Sequence, residues 1–123
     1  MNPRHVLVVE DDASIREMVA LALQDVGFTV ADAPDGALAI ELLKGRPADV
    51  LLVDLRMPLM DGFEFMRRYA EDGGRAPIIV LSAARDVDFA TQKMSAAAVI
   101  EKPFDLNDLL RTVARVSGVE LEA

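Results

Sequence analysis

Val50-Leu51-Leu52-Val53, followed at once by Asp54, is the stretch from which the fold of this 123-residue chain is read. A continuous apolar run of this length, β-branched at both ends, describes a strand buried on both faces, as in a parallel sheet covered by helices. Val6-Leu7-Val8-Val9 and Ile78-Ile79-Val80-Leu81 repeat the pattern. Phe28-Thr29-Val30-Ala31-Asp32 alternates instead, as expected of an edge strand, and Ala98-Val99-Ile100-Glu101 is a weaker fifth strand.

The segments between these runs carry helical spacing and end signals. Ile15, Met18, Val19, Ala22 and Val26 form one stripe that stops at Gly27, a C′ glycine. Ser14 with Glu17 has the spacing of a capping box, Asp61 with Glu64 offers an acidic version of it, and Asp12 serves the first helix N-terminus. Asp35 opens a second helix that ends at Gly45, and Asp105 opens a last one, with Leu106, Leu109, Leu110 and Val113 inward, that ends before Gly118. Near residues 86–95 the pattern is poor: Val87, Ala90 and Met94 face one way and Phe89 another.

Composition narrows the function classes. A hydrophobic content of 52% argues against disorder, and there is no cysteine for disulfides, thiolate chemistry or Cys-based zinc sites. The formal charge of −8 disfavours direct nucleic-acid contact. No stretch approaches the roughly 20 apolar residues that span a bilayer, and no signal-peptide core opens the chain. A single domain over residues 1–123, cytoplasmic and without membrane contact, is the expectation.

Strict βα alternation implies an open parallel sheet with helices on both faces, and such sheets bind ligands beyond the carboxyl ends of their strands. Glu10 and Asp11 end the first strand, Asp54 the third, Ser82 the fourth and Lys102 the fifth, so the topology gathers them into one crevice. Crowded carboxylates call for a cation, and oxygen ligands without His or Cys favour Mg²⁺, with Mn²⁺ as the alternative. A cation held by Asp11 and Asp54, the Lys102 ammonium and the Ser82 hydroxyl together suit transfer of a phosphoryl group to the Asp54 carboxylate. None of the seven glycines forms a phosphate-cradling loop, so the group arrives from a donor and not from a tightly bound nucleotide. Singly, each residue has a plain reading: helix caps, a turn Asp, a solvated Lys. His5 is an ordinary residue opening the first strand.

Val8-Val9-Glu10-Asp11-Asp12, the stretch Asp54-Leu55-Arg56-Met57-Pro58-Leu59-Met60-Asp61-Gly62, Ser82-Ala83 and Lys102-Pro103-Phe104 closely resemble the receiver domain of two-component response regulators, the CheY-like family. The resemblance covers essentially the whole chain. It implies a doubly wound, flavodoxin-like five-stranded parallel sheet of order 2-1-3-4-5, flanked by five helices. It implies Asp54 as phosphoacceptor, Glu10 and Asp11 as the acidic pair, and the backbone carbonyl of Arg56 as a further metal ligand, with Glu10 in the outer shell. Ser82, Ala83 and Lys102 would bind the phosphoryl group, Ser82 would act as the switch hydroxyl, and Lys102-Pro103 would be a cis peptide. Arg16, five residues after Asp11, supports the register.

The same resemblance implies a sensor histidine kinase or phosphotransfer protein as donor, docking on the first helix near Ile15, Met18 and Val19, and an unidentified downstream target. The molecule would be a monomer or weak homodimer, either a stand-alone regulator or an N-terminal module. It would catalyse only its own phosphorylation and dephosphorylation. Three departures stand out: Val99 replaces the usual aromatic switch residue, Ser95, Ala97 and Ala98 replace a Gly and acids, and the span from Ser82 to Lys102 is slightly short. They point to an altered output surface, and Ala84 beside the site points to a long-lived acyl phosphate. Two alternatives differ in class. One is an interaction module of the same fold that works without phosphorylation. The other is an Asp-nucleophile phosphohydrolase, disfavoured because Arg56 stands where that group has a second Asp.

Overall fold

The computed structural model describes residues 4–57 and 59–121, so Pro58 of the motif lies outside the described residues. Each apolar run becomes a strand: β1 (His5–Val9), β2 (Thr29–Ala33), β3 (Val50–Asp54), β4 (Ile78–Ala83) and β5 (Ala98–Lys102). The strands pair in parallel in the order β2-β1-β3-β4-β5, with alternating β2 at one edge and β5 at the other. Helices α1 (Ala13–Asp25), α2 (Gly36–Gly45), α3 (Gly62–Glu71), α4 (Val87–Lys93) and α5 (Leu106–Ser117) connect or follow them. This is the doubly wound arrangement that the resemblance implies.

Alternate side chains of the strands feed two separate cores. Leu7, Val9, Leu51, Val53 and Val80 point to one face, where Ala39 and Ile40 of α2, Phe65 of α3 and Ala90 of α4 cover them. Val6, Val8, Leu52, Ile79 and Leu81 point to the other, beneath Val19 and Leu23 of α1 and Leu109, Leu110 and Val113 of α5. Central β1 and β3 are buried at every position, which is why Val6–Val9 and Val50–Val53 are continuously apolar, with His5 and Asp54 the buried polar residues at their ends.

Two details of α1 correct the sequence reading. The buried face is Val19, Ala20 and Leu23, flanked by Ile15 and Ala22, while Met18 and Val26 of the expected stripe are exposed. From Met18 to Leu23 every residue is apolar, so several stripes fit the spacing and only packing against the sheet selects one. The Ser14–Glu17 capping box does not form: the helix already begins at Ala13, and Asp12 caps it by accepting from the Ile15 amide at 3.0 Å. Asp35, Asp61 and Asp105 cap α2, α3 and α5 in the same way, accepting from the amide three residues on. The poorly patterned segment is a short helix: a 3-10 turn at Ala84–Asp86, then α4, with Ala90 and Met94 buried and Phe89 exposed.

The loop from β3 to α3 is held close to the end of β3. Gly62 donates its amide to the Leu55 carbonyl at 2.8 Å. A Cβ at Gly62 would stand 2.8 Å from the Asp54 carbonyl oxygen and 2.9 Å from the Leu55 Cα, both backbone atoms that cannot yield locally. Gly62→Ala is therefore expected to destabilise the fold by about 1–3 kcal/mol, the usual cost of forcing atoms into a packed site, and so to lower the denaturant midpoint. An unchanged midpoint in equilibrium urea unfolding would contradict this close approach.

Candidate functional site

Parallel register brings the carboxyl ends of the strands level with one another. Val9 of β1 pairs with Val53 of β3, Asp54 with Leu81 of β4, and Ala83 of β4 with Lys102 of β5. Glu10 and Asp11 thus emerge beside Asp54, and ligand oxygens of all three lie within 4.8 Å of one another. Glu10 and Asp54 are buried, whereas Asp11 is exposed at the rim. Arg16, reaching back from α1, donates from Nη1 to the Glu10 carbonyl at 2.8 Å and fixes the turn between β1 and α1.

Lys102 enters from β5 and touches both buried acids. Its Nζ lies 2.6 Å from Glu10 Oε1 and 3.3 Å from Asp54 Oδ1. Burial disfavours the ammonium, but the two carboxylates outweigh it and hold the Lys102 pKa above its ordinary value. The Lys102-Pro103 peptide is cis. Ser82 is fully buried, and its hydroxyl donates to the Ala83 carbonyl at 2.9 Å. Val99 is half-buried opposite Val80 and packs against the core on the α2–α3–α4 face.

The donor set suits a hard divalent cation. Glu10, Asp11 and Asp54 offer oxygen atoms only, the preference of Mg²⁺ or Mn²⁺. One Glu10 oxygen, Oε1, receives Lys102; the other, Oε2, is buried with no hydrogen-bond partner among the described residues. An orphaned buried carboxylate oxygen of this kind is costly unless something else satisfies it.

Two contacts were beyond reach of the sequence. Lys102 and Glu10 are 92 residues apart and no periodicity links them. The Arg56 side chain, considered only for its carbonyl, leaves the β3–α3 loop and forms a two-pronged ion pair with buried Asp86 after β4, at 3.0 Å from Nε and 2.7 Å from Nη2. That guanidinium holds the Asp86 carboxyl below the usual carboxylate range. The expected kinase-docking residue Val19 is not available for docking, since it is fully buried under the sheet; Met18 and Leu21 are the exposed apolar residues of that helix's middle.

The model of the response regulator receiver domain family matches residues 6–114. Among curated relatives, the transcriptional regulatory protein CseB of Streptomyces avermitilis is 40% identical over 117 residues, covering 94% of this chain and 48% of that protein. The DNA-binding transcriptional regulator NtrC of Escherichia coli K12 is 36% identical over 112 residues, 89% of this chain but 24% of that protein. The chain therefore spans less than half the length of these relatives. Among solved structures, the chemotaxis protein CheY4 of Vibrio cholerae superposes with a TM-score of 0.83 at 34% identity, covering 93% of this chain and 98% of that one. A receiver domain protein of Methanospirillum hungatei gives 0.83 at 32% identity, covering 93% and 94%.

Burial, and next the neighbouring Asp54, push the Glu10 carboxyl up from 4.5 to about 8 against the pull of Lys102. The folded protein then keeps a proton on Glu10 that the unfolded chain releases near 4.5. Stability from this group is complete below that pH and is lost as pH rises toward 8, so metal-free protein should melt at progressively lower temperature across the window. Thermal melts in chelator check this, with Glu10→Gln flattening the dependence; a melting temperature that climbed from pH 5 to 8 would refute it.

Proposed function

The chain belongs to the response regulator receiver domain family of two-component systems, and from that membership we propose that it accepts a phosphoryl group on Asp54 and signals through the rearrangement that follows. Receiver domains are signalling modules that partner with histidine kinases, so the proposed donor is the phosphohistidine of a sensor histidine kinase or phosphotransfer protein, met in the cytoplasm. Residues 1–123 are read as one receiver domain. The downstream target is a protein that reads the phosphorylated state.

An Asp54 carboxylate oxygen attacks the phosphorus in line with the donor nitrogen. The O–P bond forms as the P–N bond breaks, and the imidazole departs with the bonding pair. Lys102 already faces Asp54 and can follow the incoming phosphoryl oxygen, drawing charge off it as it develops. Ser82 exchanges its bond to the Ala83 carbonyl for one to another phosphoryl oxygen. A Mg²⁺ or Mn²⁺ ion held by Asp11, Asp54 and the Arg56 carbonyl, with Glu10 in the outer shell, would supply further neutralisation of phosphoryl charge. The new charge on Asp54, roughly −1.5 to −2, then biases the end of β4 that carries Ser82 and the turn after it.

The observation carrying this reading is the Lys102 ammonium 3.3 Å from the Asp54 carboxylate, delivered by the last strand to the middle one. Val99, half-buried against the edge of the core and without an aromatic ring to swing, favours an output route of a different kind, including one less dependent on phosphorylation. Acetyl phosphate with Mg²⁺ tests acceptance directly. Intact mass should rise by one phosphoryl group in the parent and not in Asp54→Asn, while a generic phosphomonoester should give no sustained turnover. No adduct on the parent protein would end the proposal.

Ala84, exposed beside the site, brings no polar side chain to orient an attacking water. The adduct is accordingly expected to persist well beyond seconds in a radiolabel decay assay; loss within seconds would count against it.

A further inference from the structure

Arg56 and Asp86 join the two loops that carry the chemistry. Arg56 lies two residues beyond Asp54, and Asp86 ends the 3-10 turn that begins two residues beyond Ser82. Their ion pair uses the two guanidinium nitrogens described above, Nε and Nη2, the geometry that gives Arg–carboxylate pairs direction as well as charge. Its two halves are unlike: the Asp86 side chain is 9% exposed and the Arg56 side chain 63%. A buried carboxylate thus anchors a solvent-facing arginine, and Arg85 at 3.6 Å is a weaker second partner of the same carboxylate. The pair coexists with a Ser82 hydroxyl that is turned to its own neighbour, the Ala83 carbonyl, and therefore belongs to the resting arrangement of the site.

We propose that Asp86 is a positioning residue for the reaction at Asp54: by clasping Arg56 it ties the β4–α4 turn to the β3–α3 loop in the resting arrangement, and the clasp opens when Asp54 is loaded. This inference rests on Asp54 being the phosphoacceptor. A dianionic phosphoryl group beside Arg56 competes with the Asp86 carboxylate for the guanidinium, and movement of Ser82 toward that group carries the attached turn with it. Both effects act against the pair. Any interaction made only in the resting state opposes loading by its own free energy, so its removal must favour the loaded state to the same extent.

The phosphoryl analogue beryllofluoride, titrated with Mg²⁺ and followed by amide and arginine Nε–H resonances, tests the clasp in the intact protein. Asp86→Asn is expected to tighten beryllofluoride binding about three- to fivefold, the range that a partly exposed ion pair supports. In an Arg56→Gln background, where the clasp is already absent, Asp86→Asn should add no further tightening. In the parent protein the Arg56 Nε–H resonance should leave its carboxylate-paired position on saturation. Unchanged or weakened binding by Asp86→Asn, further tightening by it in the Arg56→Gln background, or an unmoved Arg56 resonance would each overturn the proposal. The Arg56 Nε–H resonance of the parent protein keeps the test open should Asp86→Asn fold poorly. Failure of the parent protein to bind beryllofluoride would instead remove the reading of Asp54 itself, a distinct result.

Discussion

Three carboxylates and one ammonium group share the carboxyl end of the sheet, and the negative charge left over is the constraint around which the molecule is arranged. Like charges at such distances in a partly desolvated place repel strongly, and only a rigid frame keeps them there. The frame is the pair of central strands, buried at every position and clamped by a separate apolar core on each face. Lys102 relieves part of the repulsion, at the price of its own burial. The proton that Glu10 retains without metal relieves more, and the unmatched Oε2 marks what is still lacking. A site so poised responds to any added charge, whether a cation or a phosphoryl group.

Much of the architecture was legible because buried parallel strands advertise themselves. Val6–Val9, Val50–Val53 and Ile78–Leu81 have no polar residue to pair with water, and strand position followed from that alone. The acidic caps were equally plain at Asp35, Asp61 and Asp105, where a short side chain precedes each apolar stripe. In α1 the signal was degenerate. Ser14 and Asp12 both have capping chemistry, and the run Met18 to Leu23 offers several inward faces, so tertiary packing made the choice. Position alone gathered Glu10, Asp11, Asp54 and Lys102 at one end of the sheet. Which of them touch, and how strongly, depended on side-chain reach across separate strands.

The Arg56–Asp86 pair lies at the limit of what sequence can disclose. Thirty residues separate the partners, and each alone reads as a surface charge. It becomes visible only when the ends of β3 and β4 stand side by side. Val99 illustrates the converse: the substitution for an aromatic residue was evident at once, but its consequence, a half-buried side chain resting against the core opposite Val80, required the packing.

Four of the five helices begin with an aspartate whose side chain binds the helix's own amides, and in a parallel α/β sheet every helix that follows a strand begins at the end where the strands finish. Asp12, Asp35, Asp61 and Asp105 therefore form an acidic collar around the crevice, tempered by the positive ends of the helix dipoles. Long-range fields of this kind govern encounter rates more than affinity. On the proposed phosphoacceptor reading, small anionic phosphodonors would diffuse in against the collar, whereas a protein donor with a basic rim around its histidine would be drawn toward it. Added salt should then accelerate the first encounter and retard the second, and the collar would act as a filter on the proposed delivery of the phosphoryl group.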